Sequence, residues 1–481
     1  MMKNIRLKAT LFLFLSIVTF NSCEKSDSFQ STGNDEVHLF IWRAMNTFYF
    51  WQESVPDLDD NRFTTVGQVY EAYRGFESPV DMFESLRFQP GVVDRFSVIF
   101  EDYIDLENSL QGINLTNGME FGLVRYANDP TQVFGYVRYV LPGSDAETQG
   151  VTRGMIFNAV DGTQLTDTNF GGLLFGENTN YTISLADYNS GNPTTNGVTI
   201  TLNKTQVQEN PIHLVTTITD GSHKVGYLMY NQFSPSFDNE LNNTFAFFQS
   251  ENITDLIVDF RYNGGGSTNS ALFLSGMITG QFTGELFARQ NWNSRVTNAL
   301  PPESFIDNFK NQLSNNQAIN SLNLDRVYFI TTRSSASSSE LVMNALDPYI
   351  TVNSVGTTTL GKVHGSIPLY DSDDLTRNGD NLNPNHTYAL LPLTFETVNA
   401  NGVNFPGGIV PTVNLPEDYG NLGVLGTRSD PLLDRTMVLI TTGNRATFHT
   451  STIQMEEISN SQLHKPMRNN MFGNLKQPFL K

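Results

Sequence analysis

The way apolar and polar residues alternate changes three times along the chain, and each change predicts a different kind of structure. From His38 to about Phe100, the runs "LFIWRAMNTFYFWQESV", "TTVGQVYEAYRGF" and "SPVDMFESLRF" carry apolar and aromatic residues at helical spacing. Such stripes predict helices whose aromatic face packs into a core. Between about Gln111 and Asn203 the pattern turns to short alternating runs separated by glycines: "EFGLVRY", "VFGYVRYVL", "GMIFNAV", "NYTISLADY" and "GVTITLN". This predicts a small β-rich module. From about Val225, near-continuous apolar strands ("KVGYLMYNQF", "DLIVDF", "DRVYFITT", "ITVNSV") alternate with helical stretches ("FDNELNNTFAFFQSE", "NSALFLSGMI", "SSELVMNAL"). Buried strands interleaved with helices predict an α/β core with a largely parallel sheet.

The expectation is therefore a multidomain α/β protein with an N-terminal helical segment (38–110), a β-rich module (111–204) and an α/β core (205–445). A length of 481 residues suits two or three domains. The 29 basic and 49 acidic residues give a net charge of −20, which repels nucleic acid, so no nucleic-acid partner is expected. The seven histidines are scattered without metal-ligand spacing, so no metal site is expected. Residues 446–481 are expected to form a C-terminal tail. Its last 21 residues carry Lys465, Arg468, Lys476 and Lys481 and no acid, which reads as a solvated segment.

At the N-terminus, Lys3, Arg6 and Lys8 precede the apolar run "ATLFLFLSIVTF" and then "NSC". That pattern predicts an export signal over 1–22, too short to span a membrane. The only cysteine, Cys23, stands directly behind it, where a bacterial lipoprotein signal places its acylated residue. A lone cysteine has no intramolecular disulfide partner. The expectation is a lipid anchor on Cys23 in a bacterial cell envelope, on the periplasmic or surface face. The alternative is an ordinary signal peptide with an incidental cysteine. Residues 23–37 are polar and read as a tether.

Four stretches carry candidate chemistry. "LPGSDAETQGVTRGMIFNAVDGTQL" (Leu141 to Leu165) resembles the middle of a PDZ domain through Ala146, Gly150, Gly154, Val160, Asp161 and Gly162, with Met155 where that family often has Asp. "EFGLV" then falls where a PDZ domain has its carboxylate loop. The resemblance implies that Phe121, Gly122 and Leu123 take the C-terminal end of a peptide that adds a strand beside them. "NGGGS" (Asn263 to Ser267) ends a buried strand with three glycines, whose N–H groups can face a ligand or an oxyanion. "RSSASSSE" has five serines in six residues at a helix start near Ser338. There Ser337 or Ser338 could simply cap the helix, with Glu340 closing a capping box, or Ser337 could place a hydroxyl at the helix's positive end. In "TTTLGKVHG", Lys362 lies between glycine-permitted turns, and burial would lower its pKa enough to make it a base.

Together these stretches resemble the C-terminal processing (tail-specific) serine peptidase family, which uses a Ser-Lys dyad. Asp259, Arg261, Asn263, Gly265 and Gly266 match its "D-L-R-x-N-x-G-G" segment. Ser335 to Glu340 match its "S-A-S-A-S-E" segment, and Lys362 lies 25 positions after Ser337, at the family's spacing. The resemblance implies a crotonase-like spiral core, Ser337 as nucleophile and Lys362 as general base. It also implies an oxyanion hole from Gly265 or Gly266 with Ser338, and no cofactor. Members often carry a glutamine four residues after the lysine. Here Ser366 stands in that place, leaving Glu340 and Ser366 as candidate orienting residues, and His364 is an alternative base. The function implied is an exported serine endopeptidase acting on polypeptides with a free, apolar C-terminus. The alternative is a non-catalytic peptide- or ligand-binding protein that retains the fold.

Overall fold

The computed structural model describes residues 33–446, 455–467 and 469–473. The export signal, Cys23 and most of the expected tether lie outside the described residues. The first helix, Gly33–Phe48, already begins inside the stretch read as tether. It buries Phe40, Ile41, Met45 and Phe48 in the same apolar core as Phe260, Phe273 and Leu341. The aromatic stripe is therefore core, and this segment is fused to the α/β body. A strand at Val98–Phe100 strengthens the join by pairing antiparallel with Ala389–Leu391.

In the β-rich module, five strands run antiparallel in chain order: Met119–Arg125, Val133–Val140, Ile156–Val160, Asn180–Asp187 and Thr194–Asn203. Two short helices, Asp145–Thr148 and Phe170–Phe175, accompany them. The inward residues of this sheet, among them Phe121, Val137, Phe157 and Ile183, form their own core. A two-stranded ribbon, Ile113–Thr116 with Thr205–Gln208, connects the module to the body.

The body is built on a six-stranded sheet. Ile212–Asp220 pairs antiparallel with His223–Tyr230. Then His223–Tyr230, Asp255–Asp259, Arg326–Thr331, Thr351–Gly356 and Val413–Asn414 follow in parallel. Helices Thr268–Ile278 and Ser338–Leu346 pack on one face, and Pro431–Thr442 packs on the other. Cover on both faces explains why these strands are apolar throughout. In such sheets, ligands bind beyond the carboxyl ends of the strands. Three neighbouring strands end at the three motifs. Asp255–Asp259 runs into the glycines, Arg326–Thr331 into the serines, and Thr351–Gly356 toward Lys362.

The C-terminal segment is not a solvated tail. Glu457–Asn460 adds antiparallel to the outer edge of Met119–Arg125. Met471–Phe472 lies between Gly266–Ser267 and His364–Ser366, pairing parallel with both. Lys465, one of the charges that suggested solvation, is enclosed, with its Nζ 2.8 Å from Glu120 and 3.0 Å from Glu209. Burial alone would lower its pKa, but the two carboxylates outweigh burial and hold it well above the usual lysine range.

Candidate active site

Arg261 anchors the strand end from which the glycine segment springs. Its guanidinium is fully buried, with Nη2 2.7 Å from Asp259 and 2.8 Å from Asp430. Beyond it, Asn263 organises the turn, donating from Nδ2 to the Tyr230 carbonyl at 2.7 Å and accepting the Gly265 N–H at 2.8 Å. The pair Asp259 and Arg261 is thus structural, and Asn263 uses up the Gly265 N–H.

The serine cluster is stitched to this turn. Ser335 Oγ donates to the Phe260 carbonyl at 2.7 Å, Ser338 Oγ to Gly266 at 2.8 Å and Ser339 Oγ to Asn263 at 3.0 Å. Ser337 differs from all three. Its φ is +63°, a left-handed conformation costly for a residue with a Cβ, and its buried Oγ has no hydrogen-bond partner among the described residues. The helix Ser338–Leu346 begins immediately after it. Glu340 closes the cap by accepting the Ser337 N–H at 2.8 Å.

Glu340 does more than cap. Its carboxylate also accepts the N–H of Gly361 at 2.6 Å, the N–H of Lys362 at 2.9 Å and the Thr359 hydroxyl at 2.5 Å. It pins the lysine turn to the start of the helix Ser338–Leu346 through the backbone, without touching Nζ. Burial raises its carboxyl above the usual range, against the donors that lower it. Glu340→Ala would leave three buried N–H groups without an acceptor, at about 1–3 kcal/mol each. The expected result is a large fall in the urea midpoint together with lost activity. Glu340→Gln, which keeps acceptor oxygen, should recover part of both.

Lys362 is 2 % exposed, and Ser337, Glu340 and Lys362 line one small pocket. Burial lowers its ammonium pKa to about 7, while Asp94 and Glu340 pull it back upward. The Phe96 ring lies 5.1 Å from Nζ. Asp94 is held by Tyr49 Oη at 2.7 Å and accepts the Phe96 and Ser97 N–H groups. The N-terminal segment, read from its sequence as packing alone, thus also furnishes a wall of the lysine's pocket. Nothing in the spacing around Asp94 signalled this.

Nζ donates to Asn470 Oδ1 at 2.8 Å. None of the orienting candidates takes that position. Ser366 Oγ is buried and has no hydrogen-bond partner among the described residues. The His364 ring packs against Phe50 at 4.8 Å and Trp51 at 4.9 Å. Burial lowers its pKa to about 4, which makes it a poor base at neutral pH.

The glycines allow a main chain to pass closely. A Cβ at Gly265 would lie 2.7 Å from Ser337 Cβ, 2.9 Å from the Asn470 carbonyl oxygen and 3.1 Å from the Ser338 nitrogen. Gly265 C=O and Ser267 N–H are both bonded to Phe233. In a parallel ladder this leaves the Gly266 N–H and C=O to face Met471–Phe472. Gly266 N–H, turned toward the Asn470 carbonyl, and Ser338 N–H, in the unpaired first turn of its helix, are the donors beside Ser337. At the module, Gly122 and Leu123 pair with Asn460 and Ser459, and the Phe121 N–H donates to Ser461 Oγ at 3.0 Å. The groove strand is thus occupied by the chain's own C-terminal segment.

Comparison with known proteins places this arrangement. Residues 224–376 match peptidase family S41, and residues 36–98 match the peptidase S41 N-terminal domain. A Bacteroides fragilis protein designated an S41 protease shares the fold, with a TM-score of 0.65 and 23% identity over 84% of this chain and 97% of its own. The photosystem II D1 C-terminal processing protease superposes with a TM-score of 0.49 and 18% identity, over 84% of this chain and 100% of its own. For mature CPAF complexed with lactacystin the values are 0.47 and 12%, over 85% and 98%. No curated protein matches the chain. With the two domain matches in that order, and both sequence motifs and the lysine inside the second, this chain carries an S41 N-terminal domain followed by a peptidase family S41 domain.

Proposed function

We propose that the protein is an endopeptidase in which Ser337 is the nucleophile and Lys362 the general base. The observation that carries this is the pairing of an unpartnered Ser337 hydroxyl with a buried lysine whose pKa lies at about 7. Ser337 Oγ attacks the scissile carbonyl carbon and its proton passes to Nζ. Gly266 N–H and Ser338 N–H hold the oxyanion. The protonated lysine gives its proton to the departing amine. Water then releases the acyl group, with Lys362 again taking a proton. Glu340 is a positioning residue. A purely binding descendant has no physical use for a lysine held near neutrality beside a strained serine.

The substrate is a polypeptide that adds a strand to Met119–Arg125, in the PDZ-like manner, with its C-terminal end at the Phe121 N–H. That N–H and Lys204 line the same cavity of about 570 Å³. Glu120 stands beside them, which limits what a free carboxylate gains there. The protein is exported and held at a membrane through a lipid on Cys23.

The test uses an unstructured polypeptide with an apolar C-terminus, offered with a free and with an amidated end. The expected result is cleavage of both, with KM about tenfold higher for the amide, the worth of one charge-assisted contact. Equal KM values would remove C-terminal recognition. Absence of cleavage, with no labelling of Ser337 by an organophosphonate, would remove the peptidase reading.

A further inference from the structure

We propose that residues 455–467 and 469–473 are a built-in pseudosubstrate, an occupant that follows the path of a polypeptide through the groove and the cleft and must be displaced before another chain is cut. This rests on the peptidase reading above and adds to it what the resting site holds.

Three independent contacts carry the inference. At the groove, the segment does what an incoming peptide would do, adding antiparallel to Met119–Arg125 and placing Ser461 Oγ on the Phe121 N–H. Charges reinforce it there. Glu456 meets Arg125 at 3.1 Å, Glu457 meets the buried Arg138 at 2.5 Å, and Lys465 lies between Glu120 and Glu209. His464 stacks on Phe175 at 3.5 Å. In the cleft, residues 469–472 run along the glycine segment, and Gly473 N–H donates to the Ser366 carbonyl at 3.0 Å. Asn470 C=O therefore lies beside Ser337 and faces the Gly266 N–H, as a scissile carbonyl would.

The third contact distinguishes a stopper from a substrate. Lys362 Nζ donates to Asn470 Oδ1, while Ser337 Oγ has no partner. The contact orients Nζ on the occupant, and among the described residues no Nζ–Ser337 hydrogen bond forms beside it. The segment lies in the cleft and, through Asn470, holds the base out of hydrogen-bond contact with the nucleophile. Main-chain pairing makes exchange feasible, because an incoming strand can form the same ladder bonds to Met119–Arg125, Gly266 and Ser366.

Phe472→Asp places a charge where the buried Phe472 ring now sits and leaves the body of the protein unaltered. The probe is a fluorescent unstructured polypeptide of about 20 residues, titrated into Ser337→Ala and into Ser337→Ala/Phe472→Asp. The expected result is at least tenfold tighter binding to the double variant, and a matching rise in cleavage rate for Phe472→Asp alone over the unaltered chain. Equal binding would overturn the proposal and leave the peptidase reading intact. Cleavage by the Ser337→Ala chain would overturn the peptidase reading. Intact mass provides the remaining check. An unaltered chain shortened after Asn470, with Ser337→Ala full length, would make the segment a substrate and overturn the pseudosubstrate. A synthetic peptide of residues 455–473 should inhibit Phe472→Asp competitively.

Discussion

Replacing Lys362 by methionine is expected to lower polypeptide cleavage by roughly 10⁴-fold or more while making the folded protein harder to unfold at neutral pH. The two effects share one cause. Nζ is buried, and among the described residues no carboxylate lies within ion-pair distance of it, so the ammonium form is penalised and its pKa falls to about 7. In the unfolded chain the same group titrates near 10.5. Between these values the unfolded state binds more protons, so this residue makes stability rise with pH from about 7 to about 10.5. Below pH 7 the full deficit is present. Methionine keeps much of the volume and has no charge to desolvate. The gain should be roughly 2–4 kcal/mol at pH 6–7 and shrink toward zero by pH 10–11. Urea midpoints at pH 6, 8 and 10 read this directly. A methionine variant less stable than the parent at pH 6, or a gap that does not close with pH, would refute it. Cleavage by the unaltered chain should rise as pH increases through about 7, as the lysine becomes free to accept a proton. Ser337→Ala should lose activity to the same degree without the stability gain, because its hydroxyl has no partner to lose.

Arg261→Leu is expected to cost about 3–5 kcal/mol of stability, a large share of what a folded protein has. Arg261 is the central cation of a buried cluster that Arg153 also joins through Glu417. Asp259 and Asp430 lie within 2.8 Å of it, Glu417 lies 3.4 Å away, and Tyr227 Oη donates to Asp259 at 2.7 Å. Leucine leaves Asp259 and Asp430 enclosed without their cation, while Glu417 keeps Arg153 at 3.3 Å. Arg261→Lys keeps the charge but not the planar fork that meets two carboxylates at once, so its loss should fall in between. Denaturant unfolding of the three proteins decides it, and an unchanged midpoint for the leucine variant would show that the cluster contributes nothing. The charges come from positions far apart in sequence, 259, 261, 417 and 430, and none of their spacings foretells the contact.

The same contrast runs through the rest of the molecule. The glycines, Ser337 and Lys362 could be found because each follows an apolar strand of a parallel sheet, and the loops after such strands meet at one edge. Within the serine run, only the resemblance's spacing of 25 positions to Lys362 singled out Ser337, and the structure adds that Ser335, Ser338 and Ser339 each have a backbone acceptor. The C-terminal segment gave no such sign. Its described part is held largely by main-chain pairing, which leaves no mark on side-chain periodicity, and the half-buried Lys465 finds partners at positions 120 and 209. Polar residues there look solvated until the edges they complete are known. Phe96 and Asp94 escaped for a related reason, as a short irregular loop has no period from which to read where it points.

The segment over the dyad is carried on the same chain as the site it fills, and this sets a concentration scale. A tethered occupant competes at an effective concentration in the millimolar range, however dilute the enzyme. A free polypeptide of micromolar affinity, present at micromolar levels, loses that competition. Activity should therefore depend on how densely the substrate is gathered around the enzyme, not on its total amount in the compartment. An enzyme fixed by a lipid on Cys23 would favour substrates held at the same membrane surface.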